Sequence, residues 1–218
     1  SGTPLPDTEI KIVDQDTFHQ SSFRQRGRVL VRGPQVMSGY LGKPEATAKV
    51  LSSDGWFDTG DVGMLLEDGE LILTGRAKDT IVLSNGENIE PGPLEEVLLS
   101  SPLVEQIMLV GQDQKQLGVL LVPQKTLLMN WAEKKGLHLE EKEISISPGN
   151  KDLRRMLKSE FNYLLSKRKG SRPDERVIDV ALVSPFSIEN GLLTQTLKQK
   201  REKIIERDQK TINSMYKR

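Results

Sequence analysis

Apolar and polar positions alternate with a period of two through the first third of the chain. Glu9-Ile10-Lys11-Ile12-Val13-Asp14 reads as a half-buried strand, and Arg28-Val29-Leu30-Val31-Arg32, between Gly27 and Gly33, as a second. Met64-Leu65-Leu66 and Glu70-Leu71-Ile72-Leu73 flank Glu67-Asp68-Gly69 as a hairpin. Pro44 to Leu51 predicts a short helix opened by proline, and Asp54-Gly55 a turn. Together they predict a small β-rich body of four or five strands. The pattern changes across Gly75 to Pro91, where the apolar run Ile81-Val82-Leu83 is hemmed by charge and followed by the turn pair Asn85-Gly86.

Beyond Pro91 strands alternate with amphipathic helices. Pro91 to Ser100 is predicted helical with Leu94, Val97 and Leu98 on one face. Gln106 to Gly111 and Leu117 to Val122 read as strands. Lys125 to Lys135 predicts a helix burying Leu127, Leu128 and Trp131 and stopped by Gly136, then a polar loop over 138–151. Asp152 is expected to cap a helix reaching Arg168, with Leu153, Met156, Leu157, Phe161, Leu164 and Leu165 on its stripe. Val177 to Val183 reads as a strand, Glu189-Asn190-Gly191 as a turn, and the chain from Thr194 to its end as a helix whose apolar side holds Leu197, Ile204, Ile205, Ile212 and Met215.

Composition narrows the chemistry. There is no cysteine and there are two histidines, His19 and His138, both in polar surroundings that predict surface positions. Disulfides, thiol nucleophiles and cysteine metal sites are thereby excluded, and a His-based triad or metal cluster is disfavoured. No apolar run reaches the ~18 residues of a membrane span, and no secretory or transit pattern is present. The 31 basic and 31 acidic residues balance, but unevenly: residues 1–75 carry 7 basic against 11 acidic, and residues 76–218 carry 24 against 20. Charge changes sign where the pattern changes, which points to two bodies, the second suited to acidic partners. The opening SGTPLPDTE reads as loop, consistent with a portion of a longer protein.

Three stretches could carry chemistry. A carboxylate on the Thr59-Gly60-Asp61 turn can accept two hydrogen bonds from a vicinal diol such as a ribose, or it can be ordinary turn chemistry. Arg76-Ala77-Lys78-Asp79 could neutralise phosphate or form surface pairs of little energetic weight. In Thr194–Lys203, Lys198, Lys200, Arg201 and Lys203 would crowd the first turns of a helix, against its dipole, so that either a bound anion offsets the cost or the face is simply solvated. A basic, turn-rich stretch over Lys167 to Arg176 reads as a solvated loop rather than a nucleic-acid patch, because no aromatics interleave it.

In order and spacing these stretches resemble the adenylate-forming enzymes: acyl-CoA and acyl-carrier-protein synthetases, luciferases and peptide-synthetase adenylation domains. The resemblance runs from Gly39-Tyr40 and Pro44-Glu45-Ala46-Thr47 through GWFDTGD (55–61), GRAKD (75–79) and NGENIEP (85–91) to TQTLKQKR (194–201). LSNGENIEP, EQIMLVGQDQKQLGVLLVP (105–123) and PFSIENGLLTQTLK (185–198) are similar to long-chain fatty acid synthetases of the acyl-acyl carrier protein type. The implied fold is α+β. Residues 1–74 would be the last, barrel-like β-subdomain of a large AMP-binding domain, 75–79 a hinge, and 80–218 a mobile α/β C-terminal domain with a small sheet and flanking helices. The family's phosphate loop does not occur here, and the acyl tunnel would lie upstream of Ser1.

What the resemblance implies for single residues is specific. Asp61 would hold the ribose hydroxyls, supported by Thr59, with Arg76 beside the nucleotide. Lys198 would reach the acyl carboxylate and α-phosphate, and Arg201 would support its helix or its anion. Lys78 would be the pivot between half-reactions. Gly86, Glu87 and Asn88 would line the passage of a pantetheine arm. The family's terminal motif commonly has Pro and Gly where this chain has Gln195 and Leu197. ATP is the implied cosubstrate, with Mg2+ whose ligands lie mostly outside this chain and no metal ligand within it. The implied partners are a long-chain fatty acid and acyl carrier protein, or coenzyme A as the alternative thiol, with no nucleic acid and with peripheral membrane association as a further expectation. The implied setting is cytoplasm or plastid stroma. A non-catalytic fragment that binds a partner is the reading of a different class.

Overall fold

The computed structural model describes residues 2–15, 17–145 and 147–217. The chain folds as two compact units, Ser1–Thr80 and Ile81–Arg218.

In the first unit β1 (Glu9–Val13), β2 (Gly27–Arg32), β3 (Phe57–Leu65) and β4 (Leu71–Arg76) form one antiparallel sheet in the order β1-β2-β3-β4. The barrel-like expectation is corrected: the sheet is an open meander, and among the described residues no pairing joins β1 to β4. Its buried apolar side chains are Ile12, Val13, Val29 and Val62, a set too small to fill a closed barrel. Helix α1 (Pro44–Ala48) buries no residue. Thr47 anchors it instead: its hydroxyl donates to the Lys43 carbonyl and accepts the Tyr40 N–H. After β4 the chain makes a single 3-10 turn, Ala77–Asp79.

The second unit starts with a short hairpin, β5 (Ile81–Val82) against β6 (Asn88–Ile89), and α2 (Pro91–Leu99) follows. Its sheet is β7 (Val104–Val110), β8 (Leu117–Pro123) and β9 (Val177–Leu182), with β7 antiparallel and β9 parallel to the central β8. Every residue of β8 is buried, which explains its nearly unbroken apolar run. On one face Ile107, Leu109, Val119, Leu121 and Val180 pack with α2, α3 (Lys125–Lys134) and α5 (Lys151–Ser166). On the other, Met108, Val110, Leu120, Val122 and Ala181 pack with Leu192, Leu193 and α6 (Arg201–Tyr216). A three-layer unit results, helices on both faces of a small sheet.

Several local expectations change. A short helix, α4 (Glu141–Ser145), interrupts the predicted 138–151 loop and sinks Ile144 into the core. The cap of α5 is Asn150, whose side chain accepts from the N–H groups of Asp152 and Leu153, so Asp152 sits in the first turn. On α3 it is Leu128 and Ala132 that are buried, while Leu127 faces out. The last helix begins at Arg201 and not at Thr194, because Thr194 to Lys200 is tied into a hairpin of its own.

Candidate active-site residues

Asp61 and Arg76 lie directly opposite each other on β3 and β4. Their spacing in sequence hides this; the pairing follows from the β3–β4 register, which shifts once between Val62 and Gly63. Arg76 Nε and Asp61 Oδ1 form an ion pair at 3.0 Å, with the arginine half exposed and the aspartate less so. The contact orients the carboxylate. Thr59 shapes the approach from the other side: its hydroxyl donates to the Val29 carbonyl and accepts the Asp61 N–H. Gly60, at φ +71, makes the bend between them, and its N–H is taken by Asp58 Oδ1. Lys78 is the exposed middle residue of the 3-10 turn that follows β4.

In the second unit the Asn85-Gly86 turn closes the β5–β6 hairpin. Gly86 donates to the Leu83 carbonyl, Leu83 donates to the Glu87 carbonyl, and the Asn85 side chain accepts the Glu87 N–H. Gly86 has φ +85, where a side chain is strained, and the space a Cβ would occupy is open. Arg172 buttresses the turn, donating to the Asn88 carbonyl at 3.0 Å and pairing with Glu87 at 3.3 Å. Arg172 also pairs with Glu175, as does Arg168. Two cations of the basic Lys167–Arg176 stretch are therefore turned inward as scaffolding. The sequence offered no signal for the buttress, since Arg172 lies 84 and 85 positions from Asn88 and Glu87.

Lys198 leaves a tight hairpin and not a helix, which corrects the expectation that Lys198 and Lys200 oppose a helix dipole. Thr194 N–H donates to the Lys198 carbonyl, Leu197 N–H to the Thr194 carbonyl, and Lys200 N–H to the Leu192 carbonyl. The Thr194 hydroxyl accepts the Lys198 N–H and meets the Thr196 hydroxyl. Threonine hydroxyls that satisfy backbone groups locally compete with helix, which is why the helix waits for Arg201. The exposed side chain of Lys198 is thus carried on a backbone with its bonds already made.

Leu197 takes φ +60 at the place where the resemblance led one to expect glycine, and it is 68% exposed. A leucine there is strained by about 1–2 kcal/mol, and exposure leaves it little packing to offset the cost. Leu197→Gly is therefore expected to leave stability unchanged or raise it by up to about 1 kcal/mol after the larger entropy of a free glycine is subtracted. Chemical denaturation of the 218-residue chain measures it; a loss above about 1 kcal/mol would show that Leu197 makes a stabilising contact.

Arg201 opens α6, but its guanidinium is committed within the unit, to Glu95 and the Leu109 carbonyl. Of the two supporting roles expected, anchoring the helix is the one this geometry serves. Glu95, Arg172 and Glu175 had not been singled out by sequence. Among the described residues no three His, Asp or Glu side chains converge to hold a metal, and no helix is long and apolar enough to cross a membrane. His138 lies at the surface near Glu133.

Comparison with known proteins matches residues 78–156 to the family described as "AMP-binding enzyme C-terminal domain" and residues 1–41 to "AMP-binding enzyme". The chain is 38% identical over 99% of its length to a probable acyl-activating enzyme, chloroplastic, of Arabidopsis thaliana, covering 30% of that protein. It is 34% identical, again over 99%, to a chloroplastic long-chain-fatty-acid–acyl-carrier-protein ligase of the same plant, covering 29%. To long-chain-fatty-acid–CoA ligase 6 of Homo sapiens it is 36% identical over 99%, covering 31%. Among solved structures, the A domain of a carboxylic acid reductase from Segniliparus rugosus, in complex with AMP and a co-purified carboxylic acid, superposes with TM-score 0.76 and 26% identity over 95% of this chain and 31% of that one. The chain therefore spans a little under a third of the length of the curated relatives it matches.

Proposed function

The chain belongs to the AMP-binding, adenylate-forming enzyme family, and from that premise we propose that it is the C-terminal part of an ATP-dependent ligase joining a long-chain fatty acid to the phosphopantetheine thiol of acyl carrier protein. The observation that carries the reading is the Lys198 hairpin, in which the lysine's own N–H and carbonyl are both bonded to Thr194 while its side chain stays exposed; the resemblance aligns it with the family's terminal lysine.

A carboxylate resists thiol attack because its leaving group would be oxide. The ligase removes that obstacle in two displacements. In the first, a carboxylate oxygen attacks the α-phosphate of ATP and pyrophosphate departs. Lys198 stabilises the charge that accumulates between the carboxylate and the phosphoryl oxygens, as a preorganised cation does best. Asp61 accepts from the ribose hydroxyls, held in place by Arg76, and the pair leaves the carboxylate a second oxygen for a diol. In the second, the thiol sulfur attacks the acyl carbonyl, its proton is released, and AMP leaves. Within the Gly86–Asn88 turn, Gly86 presents backbone without a Cβ to the arriving arm. Among the described residues no three His, Asp or Glu side chains converge to hold a metal ion.

Lys78 is the proposed pivot, in an expected hinge of 75–79 between domains 1–74 and 80–218. Gly75 and Arg76 are the last residues of β4, so within that span the turn Ala77–Asp79 is the part whose dihedrals can change without breaking a ladder. We place the reaction in cytoplasm or plastid stroma, in line with the chloroplastic relatives.

Coenzyme A is the second reading, favoured by the likeness to the human ligase; the basic excess over residues 76–218 favours the acidic carrier protein. The test is the intact ligase carrying this chain, supplied with ATP, palmitate and either holo-acyl carrier protein or coenzyme A. AMP, pyrophosphate and the palmitoyl thioester of acyl carrier protein are the expected products. Acyl-CoA as the sole thioester would move the assignment to the second reading, and no AMP with either thiol would overturn both.

A further inference from the structure

β7 is an edge strand of the three-stranded sheet. The outward backbone groups of such a strand need partners that no neighbouring strand supplies. At Leu109 both are met by side chains. Glu95 Oε1, from α2, accepts the Leu109 N–H at 2.7 Å and the Arg201 Nη1 at 2.8 Å. Arg201 Nη2 donates to the Leu109 carbonyl at 2.6 Å. Two residues along the same edge, the Gln199 side chain donates to the Ile107 carbonyl at 2.9 Å. Glu95 and Arg201 side chains are only 14% and 15% exposed, so water competes weakly for these bonds.

We infer that Glu95 is a positioning residue for Lys198: through Arg201 it clamps the Lys198 hairpin to the edge of β7. The clamp has two consequences. Arg201 is three residues beyond Lys198, and Gln199 next to it takes the second edge carbonyl, so the C-terminal leg of the hairpin is docked at two points. Glu95 in turn stands on the helix that leaves the Gly86–Asn88 turn, beginning at Pro91. The elements that bear the lysine hairpin and the thiol-arm turn are thereby linked, α2 to α6, by the Glu95–Arg201 pair.

The catalytic part of this inference rests on the reading of Lys198 given above; the clamp itself does not. The test uses the intact ligase with Glu95→Ala and Glu95→Gln, the glutamine keeping an oxygen for the Leu109 N–H and Arg201. Hydrogen exchange is read on peptides covering 191–200 and, as the control, 117–123. With alanine, exchange over 191–200 should quicken by about tenfold or more with the control unchanged. Adenylate formation should fall by about 10–100-fold, the scale of an ångström misplacement. Thioester formation from supplied acyl-adenylate should change less than about twofold. Glutamine should restore most of both losses. Unchanged exchange over 191–200, or equal loss of the two half-reactions, overturns the proposal. If Glu95→Ala does not fold, Arg201→Lys, which keeps the charge but not the forked grip, must show the same local exchange or the clamp is refuted. If Lys198→Ala leaves adenylation intact, the catalytic reading falls and the exchange measurement still decides the clamp.

Discussion

Lys198→Ala in the intact ligase is expected to slow adenylate formation by about 10²–10³-fold, the usual loss when one preorganised charge-stabilising group is removed. The size follows from what else could do the work. Arg201 is tied to Glu95 and Leu109 and cannot substitute. The same change should hardly touch the fold. Lys198 enters the hairpin through its N–H and carbonyl, bonds that alanine also makes, and its side chain is exposed. Stability should stay within about 0.5 kcal/mol of wild type, as at other surface positions. Pyrophosphate exchange reads the first half-reaction, and acyl transfer from supplied acyl-adenylate reads the second, which should be spared. Equal loss in both would contradict the assignment of Lys198 to the first step, and no loss in either would remove it from the chemistry.

The elements that were legible in the sequence are those whose signal is local. The strands of the first sheet show as alternation, and β8 as a continuous apolar run. The α5 stripe Leu153, Leu157, Phe161 and Leu165 is recoverable from spacing alone, and all four are buried. The turn at Asn85-Gly86 is equally local, with Gly86 in the left-handed region. What escaped depends on long-range partners or on competition between local bonds. Nothing local distinguishes Glu95 from any exposed helix carboxylate; its meaning comes from Arg201, 106 positions away. The start of the last helix was misplaced because residues 194–200 contain good helix formers. Two threonine hydroxyls and a Leu193–Gln199 bridge outweigh that propensity. Closure of the first sheet could not be read either, because strand alternation predicts a buried face without saying whether the edges meet.

The paired stretches also show how candidate chemistry is sharpened by a register. Asp61 and Arg76 each looked ambiguous in sequence, one as turn chemistry and the other as a surface pair. Opposed across β3 and β4 they form a surface pair of modest weight by themselves. The same contact engages one oxygen of a carboxylate that is less exposed than its partner. In this geometry the bland reading and the functional one are compatible: the pair contributes little to stability and leaves Asp61 oriented.

Glu175→Ala should cost the second unit about 3 kcal/mol, near the low end for breaking a buried ion pair because Arg172 remains partly exposed. Glu175 is 5% exposed. Its carboxylate accepts the Arg172 N–H at 2.9 Å and is shared by the guanidinium groups of Arg168 and Arg172. Burial pushes the carboxyl up, but the Arg172 N–H and the two arginines outweigh it and hold it below its ordinary value of 4.5. A carboxylate depressed in the folded state stabilises the fold fully above its unfolded value and loses that contribution as pH falls through the folded one. Wild type should therefore shed part of its stability as pH drops below about 4.5, and Glu175→Gln should lack that component of the slope. Denaturant midpoints measured from about pH 7 to pH 3 decide this; parallel curves for the two proteins would show that Glu175 gains nothing from ionisation. The effect should reach function through Arg172. Without Glu175 the arginine loses the contact that aims it at Glu87 and the Asn88 carbonyl, and the turn proposed for the thiol arm loses its buttress. At a temperature where the Gln variant remains folded, thioester formation should fall by more than adenylate formation, the reverse of the order expected for Lys198→Ala. Were both variants to impair the same half-reaction, the division of labour between the lysine hairpin and the Gly86 turn would have to be abandoned.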